Sequence, residues 1–151
     1  MIQDSALLAR LQDEIKQAMR AGDKRRLGVL RLVSAAVKQR EVDERVTLND
    51  DDVIALLSKQ VKQRQESIAQ YDAAGRDDLS EQERYEITVL KEFLPQPLDD
   101  AEIDRLIDNA IAETGAESTR DMGKIMGLLR PAMQGRADMS AVSGRIKTRL
   151  Q

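Results

Sequence analysis

The chain has 151 residues, room for one ordinary domain or two small ones, with 34% charged and 41% hydrophobic residues and a net charge of −3. It contains no Cys and no His, which removes disulfides, thiolate nucleophiles, Cys/His metal sites and imidazole chemistry near neutral pH. No Trp, two Tyr and one Phe leave almost no aromatic surface on which a single-stranded base could stack.

The opening "MIQDSALLAR" has no basic stretch leading into an apolar one, so no signal peptide is read and a cytoplasmic protein is expected. No apolar run approaches the roughly 20 residues a membrane span needs. Leu8, Leu11, Ile15, Ala18 and Met19 follow the spacing of one helical face, and Ala21-Gly22-Asp23 ends that helix and caps the next. The second helix carries Leu27, Leu30, Val33 and Val37. Asn49 to Val53 supplies a side-chain cap and acids suited to the dipole of a third, long helix with Ile54, Leu57, Val61, Ile68 and Tyr71, closed near Gly75. A fourth runs from about Ser80 through Ile87 and Leu90 to Leu94.

"LPQPLDD" follows, and two prolines so close together cannot continue a helix. The expected division is therefore an N-terminal domain over 1–94, a proline linker over 95–98 and a C-terminal domain over 99–151. Asp99 with Glu102 forms a capping box for a fifth helix, stopped at Thr114-Gly115. Ser118 and Asp121 cap a sixth, with Met122, Ile125, Met126, Leu129 and Met133 on one face. Pro131 and Gly135 are expected to break it, and Asp138 to cap a seventh carrying Val142, Ile146 and Leu150. The pattern is all-α, four helices followed by three, with no β-branched alternation that would mark a strand.

Charge is unevenly placed. Residues 65–117 hold 15 acidic and 4 basic residues, whereas 118–151 hold 7 basic (Arg120, Lys124, Arg130, Arg136, Arg145, Lys147, Arg149) and 2 acidic. Such asymmetry points to a polyanion or an acidic partner, and solvated helix faces produce it too. Lys24, Arg31, Lys38 and Arg45 recur every seven residues on helix 2, as a row that could follow phosphates or merely face water. Asp50-Asp51-Asp52 lacks the spacing of a calcium loop and reads as a helix start. No motif calls for a metal or a cofactor.

Gly123 and Gly127 lie away from the apolar face of helix 6, beside Arg120 and Lys124, where each costs an exposed helix up to about 1 kcal/mol against alanine. Either another helix packs closely there or a ligand backbone approaches. At the Gly135-Arg136 corner, Arg136 stands among helix ends with Arg130, Arg145 and Lys147 near in sequence. Guanidinium forks and the N–H groups of a helix start suit phosphate. The alternative is a plain turn, with Asp138 capping and Arg136 pairing an acid of the fifth helix.

"TGA" at 114–116, "DMGKIMGLL" at 121–129, Pro131 and "GRAD" at 135–138 resemble the tail domain shared by the GatB subunit of tRNA-dependent amidotransferases and the stand-alone YqeY proteins. "GDKRRLGVLRLVSAAVKQREVD" at 22–43, "VKQRQESIAQYDAAGRDDL" at 61–79 and "FLPQPL" at 93–98 are similar to YqeY proteins specifically, so the likeness covers essentially the whole chain. Met139-Ser140 departs from it, standing where a Gly or Pro followed by Lys is expected. The resemblance implies an all-helical protein whose second part is like the module that holds the elbow of a tRNA. It does not imply the amidotransferase reaction, for which the chain has neither an ATP cradle nor an amidase motif; any carbon–nitrogen ligase label would be inherited from GatB.

The reading is thus a non-catalytic protein that binds tRNA or another structured RNA, with a protein of the translation apparatus as a further possible partner. The candidate contacts are Lys124, Arg130, Gly135, Arg136, Arg145, Lys147 and Arg120, with Gly123 and Gly127 allowing close approach. Lys24, Arg31, Lys38 and Arg45 form a secondary row. A helical protein-interaction module is the competing class.

Overall fold

The computed structural model describes residues 5–151, which form seven α-helices, one short 3₁₀ turn and no strand. The helices are α1 (Ala6–Ala21), α2 (Lys24–Glu44), α3 (Asp50–Ala73), α4 (Asp77–Lys91), α5 (Asp100–Thr114), α6 (Met122–Met133) and α7 (Met139–Leu150), with the 3₁₀ turn at Thr119–Asp121. They group into two compact units that meet in sequence at Leu94 and Pro95.

In the first unit local chemistry sets the helix ends. The Ser5 hydroxyl accepts from the Leu8 N–H to start α1, and Gly22, at φ 70°, ends it. Asp23 then caps α2 by accepting from the Arg26 N–H. Asn49 and Asp52 form a reciprocal capping box at the head of α3, and Gly75, at φ 71°, follows its end. Helix α2 instead closes on Arg45 at φ 54°, a left-handed conformation that side chains other than glycine seldom adopt.

The core of this unit takes Leu8, Leu11 and Ala18 from α1, Val29, Leu30, Val33 and Val37 from α2, Val53, Leu57 and Val61 from α3, and Ile87, Val89 and Leu90 from α4, with Leu48 and Phe93 from the connecting segments. Met19 departs from expectation: at the last turn of α1 it is 54% exposed. Tyr71 and Ile54 are half-buried, and Val53 rather than Ile54 reaches the core.

The second unit packs Ile103, Ile107 and Ala110 of α5 against Ile125, Leu129 and Met133 of α6 and Val142 and Ile146 of α7. Asp99 and Glu102 make the capping box of α5, and Gly115 closes it at φ 67°. The segment before α5 is bonded to this unit: the Leu98 N–H donates to the Arg136 carbonyl at 2.8 Å.

Pro131 does not break α6. The helix runs through it to Met133, and the turn comes at Gly135, at φ 77°. Near the helix end Pro131 removes the bond its own N–H would have made to the carbonyl of Gly127 and crowds that carbonyl, but little helix follows that could be kinked. Both residues are exposed, so water can serve that carbonyl instead.

Candidate nucleic-acid interface

Helix α6 turns Ile125, Leu129 and Met133 into the core and leaves Gly123, Lys124, Gly127 and Arg130 exposed. A Cβ built on Gly123 or Gly127 would meet nothing within 4 Å, and the same holds for Gly144 on α7. Close packing of another helix of the second unit therefore does not account for the two α6 glycines. By i, i+4, i+7 spacing Gly123, Gly127 and Arg130 lie along one strip, with a backbone carbonyl at Gly127 that no Pro131 N–H can occupy. Lys124, Arg130, Arg120 on the 3₁₀ turn and Lys147 on α7 are all exposed, and none is in an ion pair among the described residues.

The remaining candidates are already occupied. Arg145 binds Asp100 at 2.5 Å and Asp104 at 3.2 Å, and Arg149 binds Asp104 at 2.9 Å and also Asp108. Acids at i, i+4 and i+8 on α5 thus interleave with arginines at i and i+4 on α7, tying the two helices side by side. The hydrogen bond to Asp100 holds the Arg145 guanidinium even more firmly protonated than usual. This ladder went unread in the sequence, although its matched four-residue spacings are the signal for it.

Arg136 is half-buried, and its Nε donates to the Gln96 carbonyl at 2.9 Å. It pairs with the chain just before α5 rather than with an acid on α5. Gly135 supplies the positive φ that turns the backbone, and Asp138 caps α7 by accepting from the Ser140 N–H at 3.0 Å. The corner is a structural join first.

Over the whole second unit, nine acidic residues face eight basic ones, so it is not a basic domain by net charge. What it has is separation. Asp100, Asp104 and Asp108 of α5 are taken up by the ladder, while the cations without an ion pair among the described residues stand on the 3₁₀ turn, α6 and α7, apart from Arg105 on α5.

In the first unit, Lys24, Arg31 and Lys38 are exposed along α2, and Arg45 falls outside the helix because it is the left-handed cap. The seven-residue row thus has three helical members. Asp50 to Asp52 form a helix head as expected: Asp52 belongs to the capping box and Asp50 accepts from the Ser5 hydroxyl and the Leu7 N–H. No cluster of acids among the described residues is arranged to hold a metal ion.

The family model described as Yqey-like protein matches residues 8–150. This chain belongs to the YqeY-like family. Its curated relatives include a protein of Pyrenophora tritici-repentis, 31% identical over 147 residues that cover 95% of this chain and 81% of the relative. Another, from Lachancea thermotolerans, is 34% identical over 109 residues, covering 70% of this chain and 58% of the relative. A third, from Saccharomyces cerevisiae strain YJM789, is 28% identical over 130 residues, covering 82% and 70%. All three are named "Altered inheritance of mitochondria protein 41, mitochondrial".

Those names correct the expectation of a cytoplasmic protein, because the relatives of this YqeY-like chain are mitochondrial proteins by name. Charge and hydropathy do not by themselves report the compartment, and the first four residues of the opening stretch lie outside the described residues. No helix of the described residues is long and apolar enough to cross a membrane.

Proposed function

We propose that this YqeY-like protein binds structured RNA of the tRNA class, without itself catalysing a reaction, through the exposed face of α6 and the neighbouring cations of the second unit. The observation that carries the reading is the open glycine strip of α6 flanked by cations that are in no ion pair among the described residues. Lys124 and Arg130, helped by Arg120 and Lys147, would meet phosphates. Gly123 and Gly127 would let a sugar-phosphate backbone come close, and the Gly127 carbonyl would accept from a ribose 2′-hydroxyl, the group that distinguishes RNA from DNA. The second unit contains no aromatic residue, so recognition would rest on backbone and shape rather than on stacked bases.

The test is a filter-binding titration of the full chain with bulk tRNA over a salt series, with mitochondrial tRNA as a second probe because of the relatives' names. If all four cations displace counterions as on a duplex, log affinity should fall against log salt with a slope of about −3.6, and Lys124→Ala should reduce that slope by about one. Arg145→Ala, whose side chain is committed to Asp100 and Asp104, should lower the melting temperature and spare affinity. Absence of saturable binding at low salt would refute the reading.

A further inference from the structure

Helix α2 has a second apolar face that the core of the first unit does not use. Leu32 and Val42 are 56% and 72% exposed, and Gly28, Ala35 and Gln39 are exposed with them. From Gly28 to Val42 these positions alternate in steps of four and three, the spacing of a coiled-coil seam. At about 100° per residue the seam points away from the buried Leu30, Val33 and Val37. Singly exposed apolar residues need no explanation, but these share one register over four turns. A Cβ on Gly28 would meet nothing within 4 Å, so the seam alternates small residues with Leu32 and Val42 and leaves space above the small ones.

One edge of the seam is lined by Lys24, Arg31 and Lys38. The other arginines of α2 are engaged: Arg25 with Glu81, Arg26 with Glu14 and Glu92, and Arg40 with Glu44. The cations of the helix that take part in no ion pair among the described residues are therefore those beside the seam. In coiled-coil terms, with Leu32 and Gln39 at a and Gly28, Ala35 and Val42 at d, they occupy successive g positions, which set the choice of partner by charge.

We propose that this face of α2 is a docking site for an amphipathic helix of a protein partner, one with its own apolar seam bordered by a row of acidic residues. Charge decides the occupant. A second copy docking α2 on α2 antiparallel would set the basic rows against each other. Docking parallel would aim Lys24 at Val29 and Arg31 at Ala36, which are buried and half-buried and not acidic, and would give only Lys38 an acid, Asp43. An RNA backbone would satisfy Lys24, Arg31 and Lys38 but has no use for Leu32 and Val42.

The experiment uses the full chain and two labelled peptides of about 28 residues, four heptads with Leu at a and d, one with Glu and one with Lys at e and g, read by fluorescence anisotropy. The Glu peptide should bind at least about tenfold tighter than the Lys peptide. Leu32→Asp should weaken it about tenfold or more, and Arg31→Glu with Lys38→Glu should reverse the preference, with helical content unchanged by circular dichroism. Lys124→Ala should leave peptide binding alone, which separates this site from the proposed RNA surface. Equal binding of the two peptides, or indifference to Leu32→Asp, overturns the proposal. A dimer of the free protein that Leu32→Asp dissolves would assign the face to a second copy. Loss of tRNA binding without loss of peptide binding in the charge-reversed variant would assign the row to RNA.

Discussion

Arg136→Ala separates a residue that holds the fold from one that waits for a ligand. The substitution removes the donor to the Gln96 carbonyl at 2.9 Å while leaving the main-chain bond from the Leu98 N–H to the Arg136 carbonyl at 2.8 Å. A hydrogen bond from a charged donor contributes roughly 1.5 to 3 kcal/mol in a protected setting. Half-buried and open to water, this one should contribute nearer to about 1 kcal/mol. For a unit of about 60 residues that is a fall in melting temperature of about 4 to 8 °C in the transition to which the second unit contributes. Differential scanning calorimetry of the full chain reads it directly. Arg136→Lys should restore little, because an ammonium on a flexible stem does not reproduce the fixed Nε–H direction. In parallel, tRNA affinity should fall less than in Lys124→Ala, since the Arg136 side chain is already tethered. Unchanged melting together with a tenfold loss of affinity would refute the reasoning and return Arg136 to the phosphate-binding role its sequence context suggests.

Gly127→Ala should raise stability by up to about 1 kcal/mol, because the added Cβ enters open space on an α-helix, and should weaken tRNA binding if the strip admits a nucleic-acid backbone. Paired melting and filter-binding measurements check both halves, and a destabilised variant would contradict the first. The Ser80 hydroxyl, donating to Asp72 at 2.6 Å, and then Arg84 hold the Asp72 carboxyl below its ordinary range. A carboxyl lowered in the folded state stabilises above its unfolded value, about 4, and that contribution is lost as pH falls through the lower folded value. The melting temperature of the wild type should therefore drop more steeply than that of Asp72→Asn as the pH is lowered below about 4.

Helix positions were legible because their ends are written in local chemistry. Gly22, Gly75, Gly115 and Gly135 all take the positive φ that glycine adopts most readily, and Asn49/Asp52 and Asp99/Glu102 both close as capping boxes. Pro131 was misleading, because its effect depends on how much helix remains beyond it, which a single proline does not declare. The candidate site was legible only as a set of residue types. Lys124 and Arg130 are in no ion pair among the described residues, yet Arg145, Arg149 and Arg136, of the same chemistry and a few residues away, are committed to Asp100, Asp104, Asp108 and Gln96. Those partners lie about 40 residues back along the chain, beyond any local pattern. The exposed seam of α2 was hidden for a related reason: its helix carries apolar residues on two faces, and sequence alone does not say which one is buried.

The pair of hydrogen bonds between the Gln96–Leu98 segment and Arg136 has a mechanical consequence. A tug arriving along the backbone from Leu94 reaches these two bonds before it reaches the first turn of α5. They join segments about 40 residues apart in the chain, so tension is passed directly to the corner between α6 and α7 instead of peeling α5 away from its end. The second unit is in that sense strain-relieved at its point of attachment, as a cable is by a clamp set ahead of the connector.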